Sequence, residues 1–393
     1  MKKFMGFGLK DNGYSFEWQN FVANNALKTN FSLIESFSGP GGMSLGLEWA
    51  GFNLLYAFDF DDKTVETHNY NLNNRCHKMD ARMVKGPELL KELNLIKGEL
   101  SLFSGGPPCQ GFSKQRRNAH LGDNRNDLVL EYIRLVTELE PKFFLFENVA
   151  IFGQIRGRQY LDEMAERLKK YEFYPHFYNA ADYGLPQTRE RFIMVGKRRD
   201  IKAPFNIPKP TFSKWRTVKD AIYTLPSPPA DYSEHPDYFN HQNAKVTGIN
   251  VHRFSFVPQG GGWQDIPYEL RLKCHQDANT KSGGWPDVYG RLAWDSQCPT
   301  ITGGFDSFTR GRYGHPEENR PITPREAARI QGFPDYYRFI GNRGDIRSQI
   351  GNVVPPPLSE AIGLEILRCL FDEIGLLPER FKCYEEMPLF ALA

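Results

Sequence analysis

The sequence predicts an α/β fold in which a parallel β-sheet is covered by helices on both faces. Between about residues 31 and 196, short apolar runs alternate with segments of helical periodicity, and this alternation is typical of such a sheet. Candidate strands lie at 31–37, 53–58, 101–104, 143–146 and 192–195, and two of the helical segments between them lie at 127–139 and 160–170.

The rest of the chain predicts three further parts. Residues 1–30 are polar and form an N-terminal extension. Residues 197–320 are rich in Pro, Gly, Tyr, Trp and Asn and lack clear periodicity, which indicates a second, smaller domain that is irregular or β-rich. Helical patterns return in 321–393, where Thr323, Pro324 and Glu326 supply a cap, a proline at the first helical position and a capping-box glutamate. We expect this C-terminal part to pack back on the larger domain formed by 31–196.

Composition excludes several classes of protein. The 393 residues carry a net charge of only +2, so any nucleic-acid surface must be a local patch. Mean hydropathy is −0.52, and no apolar stretch approaches the roughly 20 residues that span a bilayer. Six scattered cysteines without metal-like spacing favour a reducing compartment and no metal site. We expect a cytoplasmic protein.

A glycine-rich turn follows the first candidate strand and precedes a helical segment. Gly39, Gly41 and Gly42 lie in this turn, an arrangement that holds a nucleotide-like ligand against free backbone amides. Asp59, at the end of the next strand, is placed to bind ribose hydroxyls, and Asp80 to accept from an adenine amino group. Ser44 replaces the third glycine of a dinucleotide motif, so an adenosyl ligand without pyrophosphate fits better. A tight turn without a ligand is the alternative.

Cys109 stands in a second turn, Gly105 to Ser113, that directly follows a candidate strand. Pro108 fixes the backbone before the thiol, whereas the flanking glycines loosen it. Such a pattern favours a positioned nucleophile, although a buried free cysteine in a turn is the plainer interpretation of a lone Pro-Cys pair.

Charged residues accompany two further strands. Glu147 comes at the end of the strand 143–146, where a carboxylate beside apolar residues should titrate high and could donate a proton; a surface carboxylate is the alternative. Arg189 and Arg191 lie two residues apart, and in extended backbone they would share a face. Two guanidinium groups on one face suggest anion or base recognition, whereas isolated solvated charges are the default.

Taken together, the chain resembles the DNA (cytosine-5)-methyltransferases. The resemblance rests on six motifs that occur in the family's order and span roughly residues 31 to 358: 37–42, 106–110, 147–149, 187–191, 325–334 and 351–355. It implies a Rossmann-like S-adenosylmethionine-dependent methyltransferase sheet, with 197–320 as the target-recognition domain.

The resemblance also implies a chemistry. The Cys109 thiolate would attack C6 of a cytosine that has been rotated out of duplex DNA, and Glu147 would donate to N3. Arg189 would hold the cytosine carbonyl, with Arg191 supporting the same wall. S-adenosylmethionine would be converted to S-adenosylhomocysteine without a metal.

The cofactor-binding residues implied by the resemblance surround the glycine turn. Phe37 would stack on adenine, the glycines would line the methionine portion, and two residues near the C-terminus would close the pocket. The full set is Phe37, Gly39, Gly41, Gly42, Asp59, Asp80, Pro107, Asn352 and Val354.

DNA contacts are expected from two regions. Lys114, Arg116 and Arg117 follow the cysteine in what looks like a mobile loop that closes over DNA, with a solvated basic loop as the alternative. In 197–320, Arg310 and Arg312 are candidates for groove contacts, together with Trp263 and Trp285. The expected partners are double-stranded DNA and a separately encoded restriction endonuclease, and the enzyme is expected to act as a monomer.

Other functions fit parts of the same pattern. One branch of the family methylates a transfer-RNA cytosine, so RNA is a second substrate class. A catalytically silent DNA-binding module, or more remotely a nicotinamide oxidoreductase, would use the same cofactor fold.

Overall fold

A seven-stranded β-sheet forms the centre of the molecule. The computed structural model describes residues 28–108, 127–154, 157–211, 214–277, 287–378 and 381. The strands of the sheet lie in the order β3-β2-β1-β4-β5-β8-β6. Their bounds are Ser32–Ser36 (β1), Asn53–Asp59 (β2), Cys76–Lys78 (β3), Leu102–Gly105 (β4), Phe143–Val149 (β5), Tyr171–Asn179 (β6) and Glu190–Arg198 (β8).

Helices connect the strands and cover the sheet. In the described residues the α-helices are Gly42–Ala50 (α1), Asp62–Asn71 (α2), Gly86–Glu92 (α3), Asp127–Leu139 (α4), Arg158–Arg167 (α5), Val218–Ile222 (α6), Gly248–Phe254 (α7), Lys273–Gln276 (α8), Pro324–Ile330 (α9), Arg343–Asn352 (α10) and Pro356–Glu373 (α11). None of the described helices combines the length and the apolar composition that a membrane crossing requires.

The first five strands are parallel, as predicted, but the sheet is mixed. β8 runs antiparallel to both β5 and β6. β6 was not anticipated from the sequence, because most of its residues are partly or fully exposed and alternate poorly between apolar and polar types. It also contains Pro175, which a sheet tolerates at an edge strand.

The order of the strands places the start of the predicted turn after β1 beside the start of the predicted turn after β4. From β1 the chain continues outward through β2 and β3, and it then returns to β4 on the other side of β1. Ser36 at the end of β1 pairs with Gly105 at the end of β4. In open α/β sheets, ligands bind at such a reversal of strand order, beyond the carboxyl ends of the strands.

Both faces of the sheet are covered by apolar side chains, as the sequence predicts. On one face, α1 and α11 contribute Leu47, Leu358 and Ile362 to a core shared with the sheet. On the other, α3, α4 and α5 form a second core with it. α1 and α11 approach closely because Gly46 has no side chain: a Cβ there would lie 2.0 Å from the carbonyl oxygen of Pro356.

The described residues between β8 and α9 contain little regular structure. Strand β10 (Cys298–Pro299) pairs in parallel with β7 (Gln187–Thr188), which precedes β8, and β9 (Gly290–Arg291) pairs in parallel with β11 (Arg312–Gly314). A small apolar cluster that includes Phe254, Trp263 and Phe308 forms a core of its own. Other residues of the region, such as Ile222 and Phe305, instead share a core with α1 and α9. The domain boundaries given above stay a prediction.

The capping box expected at 323–326 is present. The Thr323 side chain accepts a hydrogen bond from the Glu326 amide, and the Glu326 carboxylate accepts one from the Thr323 amide at 2.7 Å. α9 therefore begins where the sequence indicated.

Candidate active site

The glycine turn after β1 has the backbone geometry of a ligand cradle. Gly39 and Gly41 have φ angles of +56° and +94°, a left-handed conformation that favours glycine. Gly41 is the N-cap of α1 and provides no side chain to cap the helix amides. No atom lies within 4 Å of the position that a Cβ of Gly39 would take, so this turn borders open space at a helix N-terminus.

Below the turn, Ser44 is part of a buried polar cluster. Its hydroxyl donates a hydrogen bond to the carboxyl of Glu35 and lies 3.0 Å from His68 Nε2. Burial raises the pKa of Glu35 to about 8 and lowers that of His68 to about 3, so both side chains are neutral near pH 7. Ser44, which stands where a dinucleotide motif has glycine, therefore connects the first turn of α1 to the sheet.

Asp59 and Asp80 lie near the carboxyl ends of β2 and β3. Asp59 Oδ2 accepts a hydrogen bond from the Gly39 amide at 2.9 Å, and its Oδ1 accepts one from the Asp61 amide at 3.1 Å. Burial raises the pKa of the Asp59 carboxyl, although these amides act in the opposite direction. Asp80 is the N-cap of a 3₁₀ turn and forms an ion pair with Arg82 at 2.6 Å, which lowers its pKa.

Phe60 is an aromatic residue at this edge that the sequence interpretation missed. Its ring is 70% exposed and follows Asp59 directly. Its position at the end of the strand that carries Asp59, beside the predicted ligand turn, is the only signal that the sequence offered. Phe37, by contrast, is partly buried against the core of α3 to α5 and has a φ of +51°.

The segment 351–354 closes against the start of α1. A Cβ on Gly42 would lie 2.2 Å from Val353 Cγ2 and 2.4 Å from the carbonyl oxygen of Val354. Asn352, the last residue of α10, is exposed, and its Nδ2 lies 3.3 Å from Ser348 Oγ. The structure thus places this C-terminal segment against the glycine turn.

Glu147 and Arg191 form an ion pair between adjacent strands. Arg191 Nε lies 2.9 Å from Glu147 Oε1, and both side chains are only 12% exposed. Burial raises the pKa of Glu147, and the positive charges of Arg191 and Arg189 partly offset this increase. The carboxylate fits closely against the neighbouring turn, since a Cβ on Gly106 would lie 2.8 Å from Glu147 Oε2.

Asn148 fixes the turn that leads to the cysteine. Its Nδ2 donates a hydrogen bond to the carbonyl of Pro107 at 3.1 Å. Pro107 is buried beside β5, so residues 107 and 108 are held next to Glu147. Cys109 itself lies outside the described residues, as do Lys114, Arg116 and Arg117.

Arg189 occupies a different place from the one expected. It is fully buried, and its guanidinium donates to the carbonyl oxygens of Ile301, Gly351 and Val353 at 2.9 to 3.0 Å. These contacts join the start of β8 to two later segments of the chain. The guanidinium is therefore engaged by the backbone, and Arg191 is the arginine that faces Glu147.

Gln187, the first residue of the same motif, has a related role. Its Oε1 accepts a hydrogen bond from the Ile301 amide at 2.7 Å, and its Nε2 donates to Gln331 Oε1 at 2.9 Å. Gln331 in turn donates to the carbonyl of Ile350 at 2.6 Å. The side chains of Gln187 and Gln331 thus anchor the C-terminal part of the chain behind the site.

The groove candidates in 197–320 differ in their positions. Arg310 is exposed. Arg312, in contrast, donates to the carbonyls of Gly260 and Gly261, both at 2.6 Å. Its guanidinium is therefore not free for the groove contact that was expected. Trp263 is only 2% exposed because it belongs to the small core, so the expectation that it contacts a groove is wrong. Trp285 lies outside the described residues.

Within the described part of the chain, no group of three or more His, Cys, Asp or Glu side chains is arranged to hold a metal ion. The four cysteines described there, Cys76, Cys274, Cys298 and Cys369, are free thiols.

The family model of the C-5 cytosine-specific DNA methylases matches residues 31–368. The chain belongs to this family. It is a DNA (cytosine-5)-methyltransferase, and the mixed sheet described above is the sheet of S-adenosylmethionine-dependent methyltransferases.

Relatives of known name match most of the chain. Type II methyltransferase M.XorII of Xanthomonas oryzae pv. oryzae is 34% identical in an alignment of 369 positions that covers 86% of this chain and 84% of that protein. Type II methyltransferase M1.HphI of Haemophilus parahaemolyticus is 33% identical in an alignment of 345 positions that covers 86% of this chain and 87% of that protein.

Solved structures show the same architecture. A protein described as a DNA modification methyltransferase encoded within a prophage of E. coli is 28% identical, with a TM-score of 0.66 over 87% of this chain and 99% of that one. Spodoptera frugiperda DNMT2, at 17% identity, matches with a TM-score of 0.57 over 87% of this chain and all of that one, a likeness that concerns the fold.

Proposed function

We propose that this enzyme methylates C5 of a cytosine rotated out of a specific duplex DNA sequence, through a covalent bond between Cys109 and C6. The proposal is carried by the buried Glu147–Arg191 pair at the carboxyl end of β5, beside the anchored turn that leads to Cys109. A base must leave the stack before a nucleophile can reach C6.

The first step is addition of the Cys109 thiolate to C6. The new C–S bond breaks the C5–C6 double bond, and the displaced electron density spreads to C5 and towards N3. A proton or hydrogen bond from Glu147 at N3 stabilises that density. The raised pKa of Glu147 suits this role, because a buried carboxyl keeps its proton to higher pH.

Arg191, rather than Arg189, is the residue we assign to the cytosine carbonyl. Its guanidinium is next to Glu147, whereas that of Arg189 is taken up by three backbone carbonyls. Arg189 then serves as a positioning residue that holds the wall behind the base. After C5 has gained the methyl group it loses its proton, and the electrons of that C–H bond expel the Cys109 thiolate.

S-adenosylmethionine, when bound, supplies the electrophilic methyl group. The residues around the glycine turn fit an adenosyl ligand, since open space borders Gly39 and a carboxylate stands beside it. We assign Asp59 to the ribose, Asp80 to the adenine amino group, and the rings of Phe37 and Phe60 to the adenine faces. Gly41, Gly42, Pro107, Asn352 and Val354 complete the proposed pocket.

The biological role that we propose is modification in a restriction–modification pair. Its support is that the relatives matched over more than four fifths of the chain are named Type II methyltransferases. We propose that the enzyme acts on DNA in the cytoplasm and has a separately encoded endonuclease as its partner. A monomer would suffice for modification, because it can methylate each strand in a separate event.

The test is to incubate the protein with labelled S-adenosylmethionine and either mixed-sequence duplex DNA or transfer RNA, and to identify the nucleosides by mass. We expect 5-methylcytosine in DNA only. Cys109→Ala should abolish it, whereas the matched control Cys274→Ala, which changes an exposed free cysteine, should retain it. Product in RNA alone would refute the DNA assignment, and product from Cys109→Ala would refute the covalent mechanism.

A further inference from the structure

The exposed face of α10 carries two arginines beside the candidate active site. Arg343 and Arg347 lie one helical turn apart, and their side chains are 40% and 45% exposed. Asp306 faces both of them from the segment that precedes β11, and its side chain is only 2% exposed. A buried carboxylate thus lies beneath two half-exposed guanidinium groups.

Asp306 binds one of these arginines much more closely than the other. Arg343 Nε lies 2.5 Å from Asp306 Oδ2, and Arg343 Nη2 donates to the Asp306 carbonyl at 3.0 Å. Arg347 Nη1 is 3.6 Å from Asp306 Oδ1, which is too long for a hydrogen bond. Since Arg343 already matches the carboxylate charge, the guanidinium of Arg347 is in excess.

Arg310 adds a further positive charge nearby. Its side chain is exposed to solvent. A Cβ on Gly304 would lie 2.9 Å from Arg310 Cβ, and a Cβ on Gly303 would lie 3.8 Å from the carbonyl oxygen of Arg347. Arg310 and Arg347 therefore flank one glycine turn, 303–304.

This turn lies directly behind the wall of the candidate active site. A Cβ on Gly351 would be 2.3 Å from the amide nitrogen of Gly303, and Arg189 binds the carbonyls of both Gly351 and Ile301. Arg347 precedes Gly351 by four residues, a rise of about 6 Å along the helix.

We propose that Arg347 and Arg310 contact the phosphate backbone of the bound DNA on either side of the 303–304 turn. The Asp306–Arg343 pair holds the turn in place and leaves Arg347 available. Guanidinium groups bind phosphate in a bidentate manner, and such contacts fix the register of the duplex without reading its sequence. This inference rests on the proposed function, because it requires DNA as the substrate.

The experiment measures how salt weakens the binding of a fluorescent mixed-sequence duplex, followed by anisotropy between about 50 and 200 mM salt. Removal of one phosphate contact lowers the slope of log K against log salt by about 0.9. We expect this decrease for Arg347→Ala, about twice the decrease when Arg310→Ala is added, and the wild-type slope for Arg347→Lys. The affinity for S-adenosylmethionine should not change.

Arg199→Ala is the matched control. Arg199 forms an ion pair of the same length, 3.6 Å, with Glu172 and is 60% exposed. It follows the end of β8, which lies beside the start of β5, whereas Glu147 lies near the end of β5. Its loss should leave the slope unchanged. An unchanged slope for Arg347→Ala, in an enzyme whose wild type binds DNA, would overturn this inference alone; a wild type that binds no duplex at low salt would overturn the proposed function with it.

Discussion

The carboxylate of Glu147 and the guanidinium of Arg191 lie 2.9 Å apart on adjacent antiparallel strands, and both are nearly excluded from solvent. Their positions are fixed by the sheet, since the register pairs Val149 with Arg191 and Glu147 with Ile193. A carboxyl group and a cation that lowers its pKa are thus held at one strand end by the backbone hydrogen bonds of the sheet.

Replacing Arg191 by Gln should shift the pH dependence of methyl transfer. Because Glu147 must be protonated to donate at N3, the single-turnover rate falls as the pH rises through its pKa. Arg191 lowers that pKa, so its removal should move the fall to higher pH, and the maximal rate should decrease by about 10²- to 10³-fold. Pre-steady-state rates across the pH range test this. An alkaline limb that stays in place would contradict the pairing.

Replacing Arg189 by Ala should lower the free energy of unfolding of the protein. Three buried carbonyls would lose their donor, and each unsatisfied group costs about 1 kcal/mol or more. We expect the free energy of unfolding in urea to fall by at least about 3 kcal/mol. Arg199→Ala, which removes an exposed arginine, should change the free energy of unfolding by less than about 0.5 kcal/mol. Equal losses from both variants would show that the buried contacts of Arg189 contribute no more to stability than an exposed arginine does.

Replacing Gly106 by Ala should slow the reaction by displacing Glu147. The added Cβ would lie 2.8 Å from Glu147 Oε2, which is closer than van der Waals contact, so the carboxylate must move. Turnover should decrease while the affinity for S-adenosylmethionine stays the same. Gly248→Ala is the control, because no atom lies within 4 Å of its Cβ position. Unaltered turnover in Gly106→Ala would mean that the carboxylate position is not critical.

Replacing Asp59 by Ala should weaken cofactor binding. Loss of a hydrogen bond to a charged group costs about 1.5–3 kcal/mol, so the dissociation constant measured by calorimetry should rise roughly 10- to 100-fold. Asp62→Ala, a neighbouring carboxylate whose side chain is 68% exposed, should bind as the wild type does. Equal affinities for all three proteins would remove Asp59 from the pocket.

Glu35→Gln should remove part of the pH dependence of stability. The unfolded chain releases the Glu35 proton near pH 4.5, whereas the folded protein holds it to about pH 8. Unfolding therefore releases a proton in this window, and stability falls as the pH rises. Between pH 7 and 8, the wild type should lose about 1 kcal/mol more than the variant. Urea unfolding of both proteins at pH 7 and pH 8 tests this. If Glu35 does not titrate in this range, the wild type and the variant should lose the same free energy of unfolding.

The sequence by itself determined the α/β class, the two turns at the strand ends, the capping box of α9 and, through six ordered motifs, the family. These features are local. A glycine turn between a strand and a helix, or a cap followed by a proline, is specified by residues a few positions apart, so it can be recognised without the rest of the chain.

Only the tertiary structure decided how residues distant in sequence divide their roles. Arg189 and Arg191 are indistinguishable as a motif, yet one binds three carbonyls up to 164 residues away and the other faces Glu147. In the same way, Arg312 is engaged by the carbonyls of Gly260 and Gly261, and Trp263 is buried in the small core, by partners that no local pattern reveals. The physical reason is that burial and hydrogen bonding depend on long-range packing, which a side chain's type and its spacing to near neighbours do not specify.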